Sequence, residues 1–103
     1  MNTFINSLKV NSIDEAFIDI FKKICNEDTA FDDLILRQDK KVIDVCCDDK
    51  RALGKLYIQL QLILQQYNTY TLKPMALCGQ LSFFKIYGFD SLEELYGLLK
   101  LIV

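Results

Sequence analysis

The sequence predicts an all-α protein, folded as an antiparallel four-helix bundle with a short additional helix at its C-terminus. Three observations lead to this fold class. Apolar residues recur every three to four positions through most of the chain, which is the spacing of amphipathic helices. A single proline and four isolated glycines interrupt the pattern, and there is no linker or repeat. The length of 103 residues suits one core, so we expect residues 1–103 to form a single helical-bundle domain.

The first predicted helix begins at a capping box, in which Ser12 and Glu15 each satisfy a backbone N–H at the helix start. The apolar residues that follow fall on one face of a helix of about three turns. They are Ile13, Ala16, Phe17, Ile20, Phe21 and Ile24.

Residues 31–46 fit a second helix, with a roughly helical apolar stripe. The stripe consists of Phe31, Leu34, Ile35, Gln38, Val42 and Val45. Within it, residues 41–46 form a short segment with three β-branched side chains, and this segment also fits a strand. A lone strand would have nothing to pair with in a helical chain. We therefore expect a helix here, and Val42–Cys46 is the segment where helix and strand compete most closely.

The third predicted helix runs from Lys50 to Tyr70, directly after Asp48 and Asp49. Its apolar residues form one broad stripe that Ile58 and Leu62 widen towards a second face. A helix that is apolar over so much of its circumference should lie in the middle of the bundle.

The fourth helix is predicted from Pro74 to Tyr87, since proline suits the first turn of a helix. Gly88 should close it as a left-handed cap, and Gly79 inside it is a mild cost.

The last, short helix should start at a capping box, formed by Ser91 with Glu94 or by Asp90 with Glu93. Its stripe reaches Ile102. We expect the apolar residues 101–103 to pack against the core or a partner, because they would be an association hazard in water.

The residue inventory argues against catalysis. The chain has no histidine, the commonest general base, and its isolated glycines form no phosphate-binding loop. Acidic pairs lie at predicted helix starts, where negative charge stabilises the helix dipole. The four cysteines form no C-x-x-C pair. We expect no enzyme activity, no cofactor and no metal site.

Charge and hydropathy narrow the location and the partners. A net charge of −2 and a pI near 5.0 give no basic footprint for nucleic acid. Residues 81–100 superficially match a helix-turn-helix, but acidic side chains at the start of its second helix would repel DNA. The chain lacks a membrane-spanning apolar run and a secretory signal. We expect a cytoplasmic protein that binds another macromolecule.

Aromatic residues crowd the C-terminal half and are the remaining candidates for a binding surface, since rigid aromatics are favoured at protein interfaces. Core packing should account for most of them. Three that lie near the last turn and helix are expected to be partly exposed: Tyr87, Phe89 and Tyr96.

Three stretches within residues 31–84 follow a pattern shared with a known family. They are Leu34-Ile35-Leu36 leading to Lys41-Val42, then Leu53-Gly54-Lys55-Leu56-Tyr57-Ile58-Gln59-Leu60, and then Gln66-Tyr67-Asn68-Thr69-Tyr70-Thr71-Leu72 with Pro74. In these stretches the chain resembles the bacteriocin immunity proteins of Gram-positive bacteria, of the enterocin A immunity type. Cys46-Cys47, the few basic residues on the second and third helices, and Gly88 depart from the family pattern.

The resemblance implies a cytosolic four-helix bundle that protects a cell against a pore-forming class IIa bacteriocin. The family is thought to bind the peptide-bound receptor, a mannose phosphotransferase permease, from the cytosolic side, so membrane contact would be only indirect through the receptor. Specificity in the family is associated with the C-terminal half. On this chain that implies a partner-binding set of Lys85, Tyr87, Phe89, Tyr96 and Lys100.

Two other functions fit the same sequence. A phage- or plasmid-encoded helical inhibitor or adaptor would use the aromatic surface against a host protein. A small helix-turn-helix regulator would use residues 81–100 on DNA, with steeply salt-dependent binding.

Overall fold

The protein is an α+β domain in which three helices cover one face of a four-stranded antiparallel sheet, in a computed structural model that describes residues 15–25, 31 and 33–103. Residues 15–25 form helix α1. The strands and the other helices are β1 (Ile35–Asp39), β2 (Val42–Cys46), α2 (Lys50–Leu64), β3 (Thr71–Leu77), β4 (Gln80–Tyr87) and α3 (Leu92–Ile102). The predicted all-α four-helix bundle is therefore wrong.

The sheet has the strand order β1-β2-β4-β3, and every neighbouring pair is antiparallel. β1 and β2 form one hairpin and β3 and β4 form another, with α2 between them. The two hairpins join through β2 and β4, where Ile43 lies opposite Ile86 and Val45 opposite Phe84. The second predicted helix is wrong because β2 does have partners, one on each side.

The β3–β4 hairpin replaces the predicted fourth helix. Cys78 and Gly79 have positive φ angles of 54° and 78° at the two central positions of the turn, as in a type I′ hairpin turn. Pro74 lies in β3, which is an edge strand, so its missing N–H removes no hydrogen bond from the middle of the sheet. What was read as a helix-turn-helix at residues 81–100 is a strand followed by a helix.

A β-bulge interrupts this hairpin. Met75 lies opposite Phe83 and Ala76 opposite Leu81, so Ser82 has no opposite residue in β3.

The helices agree with the sequence patterns that predicted them, except in length. α1 is confirmed over residues 15–25, and its predicted cap at Ser12 lies outside the described residues. α2 begins as expected at Lys50. Asp49 caps it, since its carboxylate accepts hydrogen bonds from the N–H groups of Arg51 and Ala52 at 3.0 and 3.1 Å. It ends at Leu64 and not at Tyr70, because residues 65–70 turn the chain back towards β3.

The start of α3 is also confirmed. The Ser91 hydroxyl accepts a hydrogen bond from the Glu94 N–H at 3.2 Å. Glu93 and Glu94 lie in the first turn and Lys100 in the last, which suits the helix dipole at both ends.

One hydrophobic core lies between the helices and the inner face of the sheet. It combines alternate residues of the strands with the apolar stripes of all three helices. Its largest fully buried side chains are Phe17, Phe21, Phe31, Ile43, Leu53, Leu56, Leu60, Leu64, Phe84, Ile86, Phe89 and Leu95.

One expectation about apolar surface is wrong and another is narrowed. Ile58 and Leu62 are 57% and 49% exposed, because α2 packs on the sheet with one face only and not in the middle of a bundle. Leu101, Ile102 and Val103 are 86%, 44% and 49% exposed, so they do not close the core, and their packing against a partner stays a prediction.

Candidate functional site: the open face of the sheet

The side of the sheet opposite the core carries a mixture of charged, aromatic and aliphatic side chains, and we call it the open face. Side chains alternate between the two faces along each strand, so every second residue belongs to it. The strand register places these residues on it: Ile35, Arg37, Asp39, Val42, Asp44, Cys46, Thr71, Lys73, Met75, Phe83, Lys85 and Tyr87. Among the described elements, the helices contribute to the core on the other side.

An ion pair lies at the centre of the open face. Asp44 in β2 and Lys85 in β4 are opposite each other, and the Lys85 Nζ donates to Asp44 Oδ1 at 2.9 Å. The hydrogen bond that Lys85 donates to Asp44 raises the pKa of Lys85 above its ordinary value. The same ammonium group lies 5.4 Å from the centre of the Phe83 ring. Lys85 therefore orders both a carboxylate and an aromatic ring.

A shallow depression of about 270 Å³ lies beside this pair. Its lining is mainly apolar, and the residues that form it are Ile35, Arg37, Asp44, Cys46 and Phe83. Ile35 is 49% exposed there, although strand residues of its type are ordinarily buried. The depression is thus an apolar spot in a partly charged surface.

Cys46, which lines the depression, and its neighbour Cys47, which is buried in the core, lie on opposite sides of the chain. The Cys46 thiol donates to the Ser82 carbonyl at 3.7 Å. Cys47 is buried, and its thiol donates to the Asp49 carbonyl at 3.3 Å. Burial raises the pKa of Cys47 to about 11, so at neutral pH it is a protonated core residue and not a nucleophile.

The five residues of the predicted partner-binding set are not brought together. Lys85 and Tyr87 lie on the open face. Phe89 is only 1% exposed and stacks on Tyr70 with ring centres 3.9 Å apart, so its predicted exposure is wrong.

The other two residues of that set lie on α3. Tyr96 is half-buried against Phe17, and it lines a groove between α1 and α3 together with Lys100. α1 and α3 belong to the core side of the sheet, away from Lys85 and Tyr87.

The depression was not predicted from the sequence, because the residues that line it belong to segments for which helices were predicted. A period of two was present in both strands at its centre. In residues 42–46 and in residues 83–87, apolar core residues alternate with residues of the open face. The pair Cys78-Gly79 was a further signal, since a glycine in a two-residue link between alternating segments is typical of a hairpin.

The described part of the chain contains neither a cluster of metal ligands nor a membrane-spanning helix. No group of three or more cysteine, aspartate or glutamate side chains there could hold a metal ion. No helix there is long and apolar enough to cross a membrane.

Comparisons with known proteins leave the family open. No protein-family model matches the chain, and no curated protein or solved structure matches it significantly.

Proposed function

We propose that this protein is a non-catalytic binding domain that holds another protein on the open face of its sheet. The observation that carries the proposal is the depression, where an apolar surface with a half-exposed Ile35 is held ready beside an ordered ion pair. An antiparallel sheet can leave one face in water, and such a face is ordinarily polar. Apolar side chains kept at its surface therefore favour a contact function.

The size of the depression favours a side chain of a partner over a small-molecule ligand. Its volume of about 270 Å³ lies near the lower limit of the roughly 300–1,000 Å³ that is usual for small-molecule sites, and the depression is open, whereas such sites bury most of their ligand. A single large apolar side chain of a docked protein is a better match, because hot spots at interfaces are single anchors in well-packed pockets.

The polar groups around the depression support binding over catalysis. The Asp44 carboxylate already accepts from Lys85, and the Cys46 thiol already donates to a backbone carbonyl. Neither partner, an ammonium group and a backbone carbonyl, can act as the base that would activate these groups for nucleophilic catalysis.

A cytosolic location belongs to this proposal. None of the four cysteines is joined in a disulfide, and Cys78 is exposed, as suits a reducing compartment.

The immunity function stays a prediction, and it no longer has the support of a four-helix bundle. It is tested by expressing the chain in a bacterium sensitive to class IIa bacteriocins. Improved survival against one such peptide would support it, and unchanged survival across a panel would contradict it.

Site-specific photo-cross-linking tests the open face directly. Benzoylphenylalanine replaces Phe83 in one variant and Ile58 in another, which is 57% exposed on α2 and so serves as the matched control. On irradiation in the cells that produce the protein, we expect one discrete protein adduct from position 83 and none from position 58.

The cross-linked partner is then purified and titrated with the chain. We expect Phe83→Ser to weaken its binding at least about tenfold and Ile58→Ser to leave it unchanged, in line with the loss of a central anchor. Equal adducts from both positions would refute the proposal, and so would a binding affinity that is unchanged in the Phe83→Ser variant.

A further inference from the structure

We infer that the open face recognises an acidic segment of its partner, with an apolar side chain in the depression and a neighbouring carboxylate on Arg37. This inference rests on the proposed function and adds the chemistry of the partner to it. Arg37 becomes the residue that determines specificity, and Phe83 remains part of the anchor site.

The charge of the open face is opposite to that of the chain. Arg37, Lys73 and Lys85 lie on this face with Asp39 and Asp44, which leaves one net positive charge there. The whole chain has a net charge of −2. A locally cationic surface on an acidic protein steers anionic partners towards it.

Arg37 and Lys73 are the two cations of the open face that have no ion pair among the described residues, and of these two Arg37 lines the depression. The cross-strand neighbour of Arg37 is Asp44, which is the obvious candidate for an ion pair. Asp44 is hydrogen-bonded to Lys85 on its other side, and Arg37 makes no ion pair with any of the described residues. The guanidinium is exposed and lines the depression. Its planar array of donors fits a carboxylate in a bidentate geometry.

The apolar and the cationic parts of this surface are neighbours. Arg37 lies two residues after Ile35 on the same strand and the same face. A partner chain that seats an apolar side chain against Ile35 and Phe83 therefore has its adjacent residues within reach of Arg37. Glutamate or aspartate close to the anchor satisfies both parts.

Nucleic acid fits this surface less well. Asp39 and Asp44 lie among the cations, and a phosphate backbone needs a continuous basic track to release its counterions. Of the residues that the structure describes, only Phe83 offers an aromatic ring inside the depression. Nucleic-acid binding is therefore the competing outcome of the test.

The test uses synthetic peptides with one Leu, Ile or Phe in a Gly/Ser background. Glu, Gln or Lys stands one to four positions from the apolar residue, which gives three matched series. Fluorescence polarisation measures their affinity for the wild-type chain and for Arg37→Gln, Arg37→Glu and Phe83→Ser. Circular dichroism first confirms that each variant is folded.

We expect the wild type to bind the best Glu peptide at least about tenfold more tightly than its Gln and Lys counterparts, since a carboxylate adds charge-assisted hydrogen bonds. Arg37→Gln should remove this preference, and Arg37→Glu should reverse it in favour of Lys peptides. Phe83→Ser should weaken all three series.

Three results would overturn the inference. They are an unchanged preference for Glu peptides in Arg37→Glu, no binding of any series to the wild type, and tighter binding of single-stranded oligothymidylate than of the Glu peptides. If an adduct still forms specifically from position 83, the proposed protein-binding function survives and only the acidic specificity fails.

Discussion

Gly88 shows how one residue decides the end of a strand. Its φ of +116° is a conformation that side chains with a Cβ rarely adopt. A Cβ at this position would lie 2.6 Å from the Thr69 carbonyl oxygen and 2.9 Å from Tyr70 Cδ1. The missing side chain therefore lets the end of β4 approach the segment that leads into β3, where Tyr70 stacks on Phe89.

We predict that Gly88→Ala lowers the free energy of unfolding by about 1–3 kcal/mol, through backbone strain and the clash with Thr69. Urea denaturation measures the effect. Gly54→Ala is the matched control, because nothing lies within 4 Å of a Cβ there and the position is in a helix. That control should gain about 0.5–1 kcal/mol. Equal effects of the two substitutions would contradict this account of Gly88.

Lys85 gives a prediction about pH. Its folded pKa is raised by the hydrogen bond that it donates to Asp44, so the pair stabilises the fold below the ordinary lysine pKa of about 10.4. This stabilisation is lost as the pH rises through the higher folded pKa. The difference in unfolding free energy between wild type and Lys85→Met should therefore be constant from about pH 7 to 9 and decrease above about pH 10.4.

Lys73→Met is the control for this pH dependence. Lys73 is exposed on the same face, opposite Lys85, and makes no ion pair with the described residues. Its difference from wild type should not decrease in the same range. A Lys85→Met difference that stays flat to pH 11 would show that the ion pair adds nothing to stability.

At the scale of elements, Lys50 joins three of them. From the first turn of α2, its Nζ donates to the Cys47 carbonyl at the end of β2, at 3.0 Å, and to the Ser82 carbonyl of β4, at 3.1 Å. The Ser82 carbonyl lies beyond the last pair of β2 with β4, which is Val45 opposite Phe84. One ammonium group thus holds the helix start against two strands.

We predict that Lys50→Met destabilises the fold by about 1.5–3 kcal/mol, the range for hydrogen bonds that involve a charged group. Chemical denaturation measures it against Arg51→Met. The Arg51 side chain is exposed and has no hydrogen bond or ion pair among the described residues, so its replacement should change stability by no more than about 0.5 kcal/mol. Similar losses in both variants would contradict the bridging role.

The helices were predictable from sequence where the local signals agreed. α2 and α3 each combine a capping side chain, Asp49 or Ser91, with a leucine stripe at helical spacing. These signals lie within a few residues of each other. The end of α2 was missed because no proline or glycine marks it, and the chain turns there to place β3 beside β4.

The joining of the two hairpins was not predictable in the same way, because β2 and β4 are distant in the sequence. β2 pairs with β4 some forty residues later, for example Asp44 with Lys85. Helical spacing and a period of two also overlap in segments as short as these, which contain adjacent apolar residues such as Phe83 and Phe84. Pro74 was read as a helix start, whereas an edge strand tolerates it equally well.

At the scale of the whole molecule, the change of fold class moved the candidate site. A helical bundle would have placed the aromatic C-terminal residues together on one surface. The sheet instead divides them, with Tyr87 on the open face, Phe89 in the core and Tyr96 between α1 and α3. The depression is formed by residues from three different strands, so only the strand pairing could reveal it.

The central claim is that β2 and β4 pair and thereby create an open face, and NMR tests it most directly. In a NOESY spectrum of the labelled protein, we expect backbone contacts between β2 and β4 in the register that places Asp44 opposite Lys85 and Ile43 opposite Ile86. The contradicting result would be the absence of these contacts, together with medium-range contacts between residues i and i+3 throughout residues 74–87, as in a helix.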